Sequence, residues 1–122
     1  MESILTSVKK MLGITEDYEH FDQDIIIHIN SVFMILWQLG VGPSECFSIQ
    51  DNTAIWSDFM GDDTKIEAVK TYMYLRVGLL FDPPLSSSVL EAKNNQIKEL
   101  EWRLHIIADS PTNEEIQNGG DG

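Results

Sequence analysis

The sequence is short of several things, and each shortage narrows what the chain can be. It holds one cysteine, Cys46, so no internal disulfide can staple the fold. A lone thiol with no histidine near it in sequence is also a poor nucleophile candidate. Unbroken apolar runs are only a few residues long, as at Ile25 to Ile27, against the roughly 20 residues needed to cross a bilayer. No membrane span is expected. Met1 to Met11 lacks the charged start and long apolar segment of a signal peptide, which makes the cytoplasm the expected compartment.

Positive charge is scarce as well. Eight Lys and Arg stand against twenty Asp and Glu, a formal net charge of -12. Such a field repels phosphate backbones and anionic headgroups, so neither specific nucleic-acid binding nor membrane binding is expected. Trp37, Trp56 and Trp102, with Tyr72 and Tyr74, would form a base-stacking platform only with basic residues interleaved. Core packing and protein contact are the better reading of these aromatics.

The residues of metal and phosphate chemistry lack the right spacing. His20, His28 and His105 are scattered, with no His-Glu-x-x-His pattern and no cysteine pair. Glu16, Asp17, Glu19, Asp22 and Asp24 cluster, as do Asp62 and Asp63, but neither group has calcium-loop spacing. They read as solvated loop and helix-start charges. Gly40 and Gly42 have neither the preceding strand nor the following helix of a phosphate-cradling loop. No catalytic residue, metal or cofactor is expected, and the chain is not read as an enzyme.

What is present is helical periodicity. Ile4, Leu5, Val8 and Leu12 recur at helical spacing before Gly13, which predicts a short amphipathic helix over 2–12 with Lys9 and Lys10 on its polar face. Phe21, Ile25, Ile29, Val32, Leu36 and Leu39 form a second stripe, predicting a helix over 21–39. Ile26, Phe33 and Trp37 widen its apolar arc beyond what one neighbour would cover, so this helix should be central. Gly40-Val41-Gly42-Pro43 then forces a rigid exit.

From Ser44 to Gly61 the pattern weakens. Phe47 and Ile49 alternate like a short strand, while Ile55, Trp56 and Phe59 suit one helical turn; the stretch reads as a structured loop. Thr64 and Glu67, and later Ser88 and Glu91, have capping-box spacing. They predict a third helix from about 64 to Asp82, with the stripe Ile66, Val69, Met73, Val77 and Leu80, and a fourth over 88–108 through Leu90, Ile97, Leu100, Leu104 and Ile107. Pro83 and Pro84 make a stiff corner between them. The expected fold is all-α: a small bundle of about four helices over 1–108, followed by a flexible acidic tail over 109–122 whose only sizeable apolar residue is Ile116.

The string Phe21-Asp22-Gln23-Asp24-Ile25-Ile26-Ile27-His28-Ile29-Asn30-Ser31-Val32-Phe33, continuing to Gln38-Leu39-Gly40-Val41-Gly42-Pro43, resembles the head-tail connector (adaptor) family of long-tailed bacteriophages and prophages. Trp56-Ser57-Asp58-Phe59, Lys70-Thr71-Tyr72-Met73-Tyr74-Leu75-Arg76, Leu80-Phe81-Asp82-Pro83-Pro84 and Glu99-Leu100-Glu101-Trp102-Arg103-Leu104 follow in the order of a prophage-borne subgroup. Together they cover about residues 4 to 107.

The resemblance implies a structural virion protein. Its subunits would form a ring, dodecameric when assembled, beneath the portal in the neck of the virion, and extend the DNA channel towards the tail. The implied partners are the portal protein, the next connector, stopper or tail-completion protein, and further copies of the chain; DNA passes through without specific binding. Trp102, His105, Ile106 and Ile116 are the implied portal-side contacts. Phe47, Ile49, Trp56 and Phe59 are the implied tail-side contacts. Distant members lack the Gly-Val-Gly-Pro and Phe-Asp-Pro-Pro stretches, so their contacts do not transfer residue by residue. The rival reading is a small acidic regulator that mimics DNA charge, but the acids are spread over loops, helix starts and the tail instead of one face.

Overall fold

The computed structural model describes residues 2–61 and 63–109. Five helices follow in order: α1 (Ile4–Met11), α2 (Asp22–Gln38), α3 (Trp56–Phe59), α4 (Asp63–Phe81) and α5 (Ser87–Asp109). Four of them are the predicted helices, and α3 is a single turn within the stretch read as a structured loop, at residues whose spacing suits one helical turn.

The order of packing follows from which stripes are apolar. α2 buries Ile25, Ile26, Ile29, Val32, Phe33 and Leu36, and α4 buries Ile66, Val69, Tyr72, Met73 and Val77. These two faces meet, α1 closes one side of the pair, and α5 packs on α4. Phe21, before α2, stacks edge-on against Phe81 at the end of α4, with ring centroids 5.3 Å apart, so α2 and α4 run antiparallel. α5 turns back along α4 after the proline corner, so it runs parallel to α2. Ala108 accordingly approaches Gly40, just past the end of α2.

Several details depart from the sequence expectations, each for a local reason. Lys9 is buried, with 2% of its side chain exposed, and does not lie on a polar face. Its Nζ donates to the Glu16 carbonyl at 2.9 Å and sits 2.8 Å from Asp22 Oδ1, because the 12–21 connection folds back over α1. Asp22 is therefore an ion-pair partner and not simply a solvated helix-start charge. Leu80, placed on the α4 stripe by periodicity, is exposed beside the corner.

The caps differ too. α4 begins at Asp63, which puts Thr64 inside the helix. At α5 the capping hydroxyl is Ser86, which accepts from the Val89 amide at 3.5 Å, two residues ahead of the predicted Ser88. At α1, Ser3 Oγ accepts the Thr6 amide at 3.0 Å.

No strand forms at Phe47 and Ile49. The Asn30 side chain does the work of a strand partner: its Nδ2 donates to the Ile49 carbonyl at 2.9 Å and its Oδ1 accepts the Ile49 amide at 2.8 Å. Both backbone groups of a buried residue are satisfied from α2, so the loop needs no ladder. Among the described residues the one isolated bridge joins Ser3 to Ile55, tying α1 to the start of α3.

Candidate interaction surfaces

Of the eight residues implied as partner contacts, the seven that lie among the described residues separate by burial. Ile49, Trp56 and Phe59 are buried and Phe47 is half-buried. Phe33 of α2 gathers the three aromatic rings: Phe47 edge-on at 5.0 Å, Phe59 tilted at 4.8 Å and Trp56 at 6.5 Å. Trp56 Nε1 donates to Ser7 Oγ at 3.0 Å, linking the cluster to α1. These side chains hold the 41–59 segment against the bundle. The exposed part of the segment is its polar rim, from Ser44 to Cys46 and from Gln50 to Thr53.

The portal-side set stands differently. Trp102 is 64% exposed and Ile106 45% exposed, one helical turn apart, with His105 exposed beside them. Ile97 and Leu104, seven residues apart, point into the core, and Trp102 and Ile106 occupy the opposite side of the same helix. Ile116 and the Ile107 side chain lie outside the described residues.

A second apolar surface is absent from the implied contacts. Ile27 and Met34, seven residues apart on α2, are 64% and 53% exposed, on the side away from Ile25, Ile29 and Leu36. The signal was in the sequence: no Asp, Glu, Lys or Arg occurs from Ile25 to Ser44. A solvated helix face ordinarily carries charge, and this one does not.

Between α4 and α5 lies a polar cluster. Tyr72 Oη donates to Glu101 Oε2 at 2.7 Å, and Arg76 reaches the same oxygen at 2.7 Å through Nη2 while its Nε donates to Tyr72 Oη at 3.1 Å. Burial, followed by the Glu101 contact, pushes the Tyr72 hydroxyl well up. Burial alone would raise the Glu101 carboxyl, but the hydrogen bonds from Arg76 and Tyr72 outweigh it and hold the carboxyl below its ordinary value. A group whose folded pKa is depressed stabilises above its unfolded pKa and ceases to do so as pH falls through the folded one. Thermal melts should therefore show a steeper loss of stability under acid, below the ordinary glutamate range, for the wild type than for Glu101→Gln. The difference should be about 1 kcal/mol, and parallel acid profiles would remove Glu101 from the account.

Grooves on the surface are shallow. One of about 290 Å³ is lined by Trp56, Met60, Ile66, Lys70 and Tyr74, with Ser7 at its wall. Its polar groups are committed: Ser7 Oγ accepts from Trp56, and Lys70 sits 3.6 Å from Glu67 and over the Trp56 ring. Among the described residues no three His, Cys, Asp or Glu side chains are placed to hold a metal ion. No helix among them is long and apolar enough to cross a membrane. Among the outward features of the described residues are two apolar helix faces and a polar loop rim, surfaces of the kind that serve protein contact.

Comparison with known proteins gives one result. A family model described as phage connector protein matches residues 4–111, nearly the whole described bundle. No curated protein and no solved structure matches the chain.

Proposed function

Because this chain belongs to the phage connector protein family, a family of structural proteins of the phage particle, we propose that it is a head-tail adaptor subunit. In this reading copies of the chain form a ring beneath the portal, in the neck of the virion, and carry the DNA channel on towards the tail.

The observation that carries the reading is that a chain with twelve more acidic than basic residues presents two outward apolar faces, at Ile27 and Met34 of α2 and at Trp102 and Ile106 of α5. A chain of net charge -12 exposes apolar helix faces at a cost in solubility, and contact with other chains is what such faces serve. The acidic surface suits a channel wall, since it gives passing DNA nothing to adhere to. The portal protein is the partner proposed for the α5 end, at His105 and the residues that follow it, and the next connector or tail-completion protein for the 41–62 side.

The test is co-purification with the portal protein of the same phage. The full chain is expected to be monomeric or weakly associated alone and to enter a large complex when portal is added, read by light scattering. Deleting 109–122 should weaken that complex. Full binding by the shortened chain would remove the segment from the contact, and no complex with the full chain would sink the adaptor reading.

A further inference from the structure

At the corner of the bundle where α2 begins, α4 ends and α5 begins, we infer a docking surface for a basic partner: a protein segment with large apolar side chains flanked by Lys or Arg. The corner lies at the opposite end from both contacts named above. Gly40, just past α2, approaches Ala108, near the end of α5. The 41–62 stretch joins the end of α2 to the start of α4. The portal and tail-side contacts therefore share one end and leave this corner untouched.

The surface has an apolar floor. Tyr18 and His20 pack on Phe21 with ring centroids 5.8 and 4.8 Å away, and Phe21 meets Phe81 at 5.3 Å. The 12–21 connection and the end of α4 thus present one row of rings. Tyr18, at one end of the row, is exposed, and so are Leu80, next to Phe81, and Leu85, on the corner that follows. Pro83 and Pro84 fix the backbone before Leu85, and the Ser86 hydroxyl caps α5 just after it. A leucine held outward on a stiff corner loses little freedom when a partner covers it.

Charge selects the occupant. No Lys or Arg occurs from Met11 to Thr64 or from Val77 to Ala92, stretches that include every residue of this corner. Asp17, Glu19, Asp24 and Asp82 are exposed there, and among the described residues none of them is ion-paired. Carboxylates beside an apolar floor, with no Lys or Arg of the chain's own to answer them, repel nucleic acid and anionic lipid and attract a cationic protein segment. A second copy of the chain is poorly equipped for this. Of its eight Lys and Arg, Lys9, Lys10, Lys70, Arg76 and Arg103 already sit against acids within the chain. A metal ion fits no better, since no three ligating side chains among the described residues are placed to hold one.

A peptide titration tests this on the full chain. The probe is a synthetic peptide of leucines flanked by arginines, its control the same peptide with serines for the leucines, and the readout is the backbone amide spectrum of the isotope-labelled chain. The leucine peptide is expected to shift amides within 17–24 and 80–90, and the serine peptide to bind about tenfold more weakly. Leu85→Ser should weaken the leucine peptide about tenfold, and Glu19→Gln with Asp82→Asn should reduce its salt dependence. Ile27→Ser, on the outer face of α2, should change nothing. All these substitutions alter exposed side chains, so the fold is left intact. Equal binding by the serine peptide would reduce the corner to general acidity, and shifts spread over 44–53 would put the binding elsewhere. Shifts of the same amides on raising the chain's own concentration would make the occupant a second copy. Each of these overturns the inference, as does no binding. The adaptor reading is tested separately, because Leu85→Ser should still enter the portal complex. Loss of that complex would seat the portal on this corner and overturn the separate partner.

Discussion

Gly42→Ala is expected to destabilise the chain by about 3 kcal/mol, lowering the melting temperature by roughly 10 °C. Two causes add. Gly42 has φ +96°, a conformation L-residues adopt at a cost of about 1 kcal/mol. A Cβ there would also lie 2.5 Å from Cε1 and Cζ of Phe59. That ring cannot swing aside freely, because Phe33 and Phe47 pack on it with centroids 4.8 and 5.4 Å away.

Gly13 separates the two causes. Its φ is +79°, but nothing lies within 4 Å of the added Cβ, so Gly13→Ala should cost only the backbone term, about 1 kcal/mol. In a Phe59→Leu background, Gly42→Ala should likewise fall to about 1 kcal/mol, since the clashing ring atoms are gone. Denaturant unfolding of the four-member cycle reads the coupling. If Gly42→Ala costs the same with Phe59 or Leu at that position, the ring contact is not the cause.

This turn illustrates which parts of the molecule are legible in sequence. The stripes of α2 and α4 are, because residues such as Ile25, Ile29, Val69 and Met73 recur on one face and that face must be buried whatever covers it. The stretch from 41 to 55 is not. Its conformation is decided by Asn30, 19 residues before Ile49, whose amide supplies the hydrogen bonds a strand would have supplied. No local pattern in Phe47 and Ile49 tells those two sources apart.

The same limit explains the surfaces. Phe47, Ile49, Trp56 and Phe59 are apolar residues in an irregular stretch, and composition allows them to face a partner or to plug the core equally well. Phe33 decides, and it lies on another element. Trp102 and Ile106 could be placed outward because Ile97 and Leu104 already claim the inner face of α5. Ile27 and Met34 follow by the same argument from Ile25 and Ile29, with the charge-free run as confirmation. Apolar residues on the far side of a regular helix are legible by subtraction, except near its end, where Leu80 of α4 sits on the stripe and is exposed; those on a loop are not.

Lys9→Met is expected to cost about 3 kcal/mol, although lysine is the residue type most often dispensable at a surface. α1 has eight residues and is nearly enclosed: Ile4, Leu5, Thr6, Ser7, Val8 and Lys9 are all buried. Removing the ammonium leaves the Asp22 carboxylate, with 21% of its side chain exposed, without its ion-pair partner, and it strips the Glu16 carbonyl of its donor. Methionine fills the space of the lysine stem, so the loss measures the polar contacts and not a cavity. Lys10→Ala, at the exposed neighbouring position, should leave unfolding unchanged. The decisive comparison is Lys9→Met with Asp22→Asn: neutralising the stranded carboxylate should recover part of the loss, because a missing partner costs more than a missing pair. If Lys9→Met proves as silent as Lys10→Ala, the clasp between α1 and the start of α2 contributes nothing.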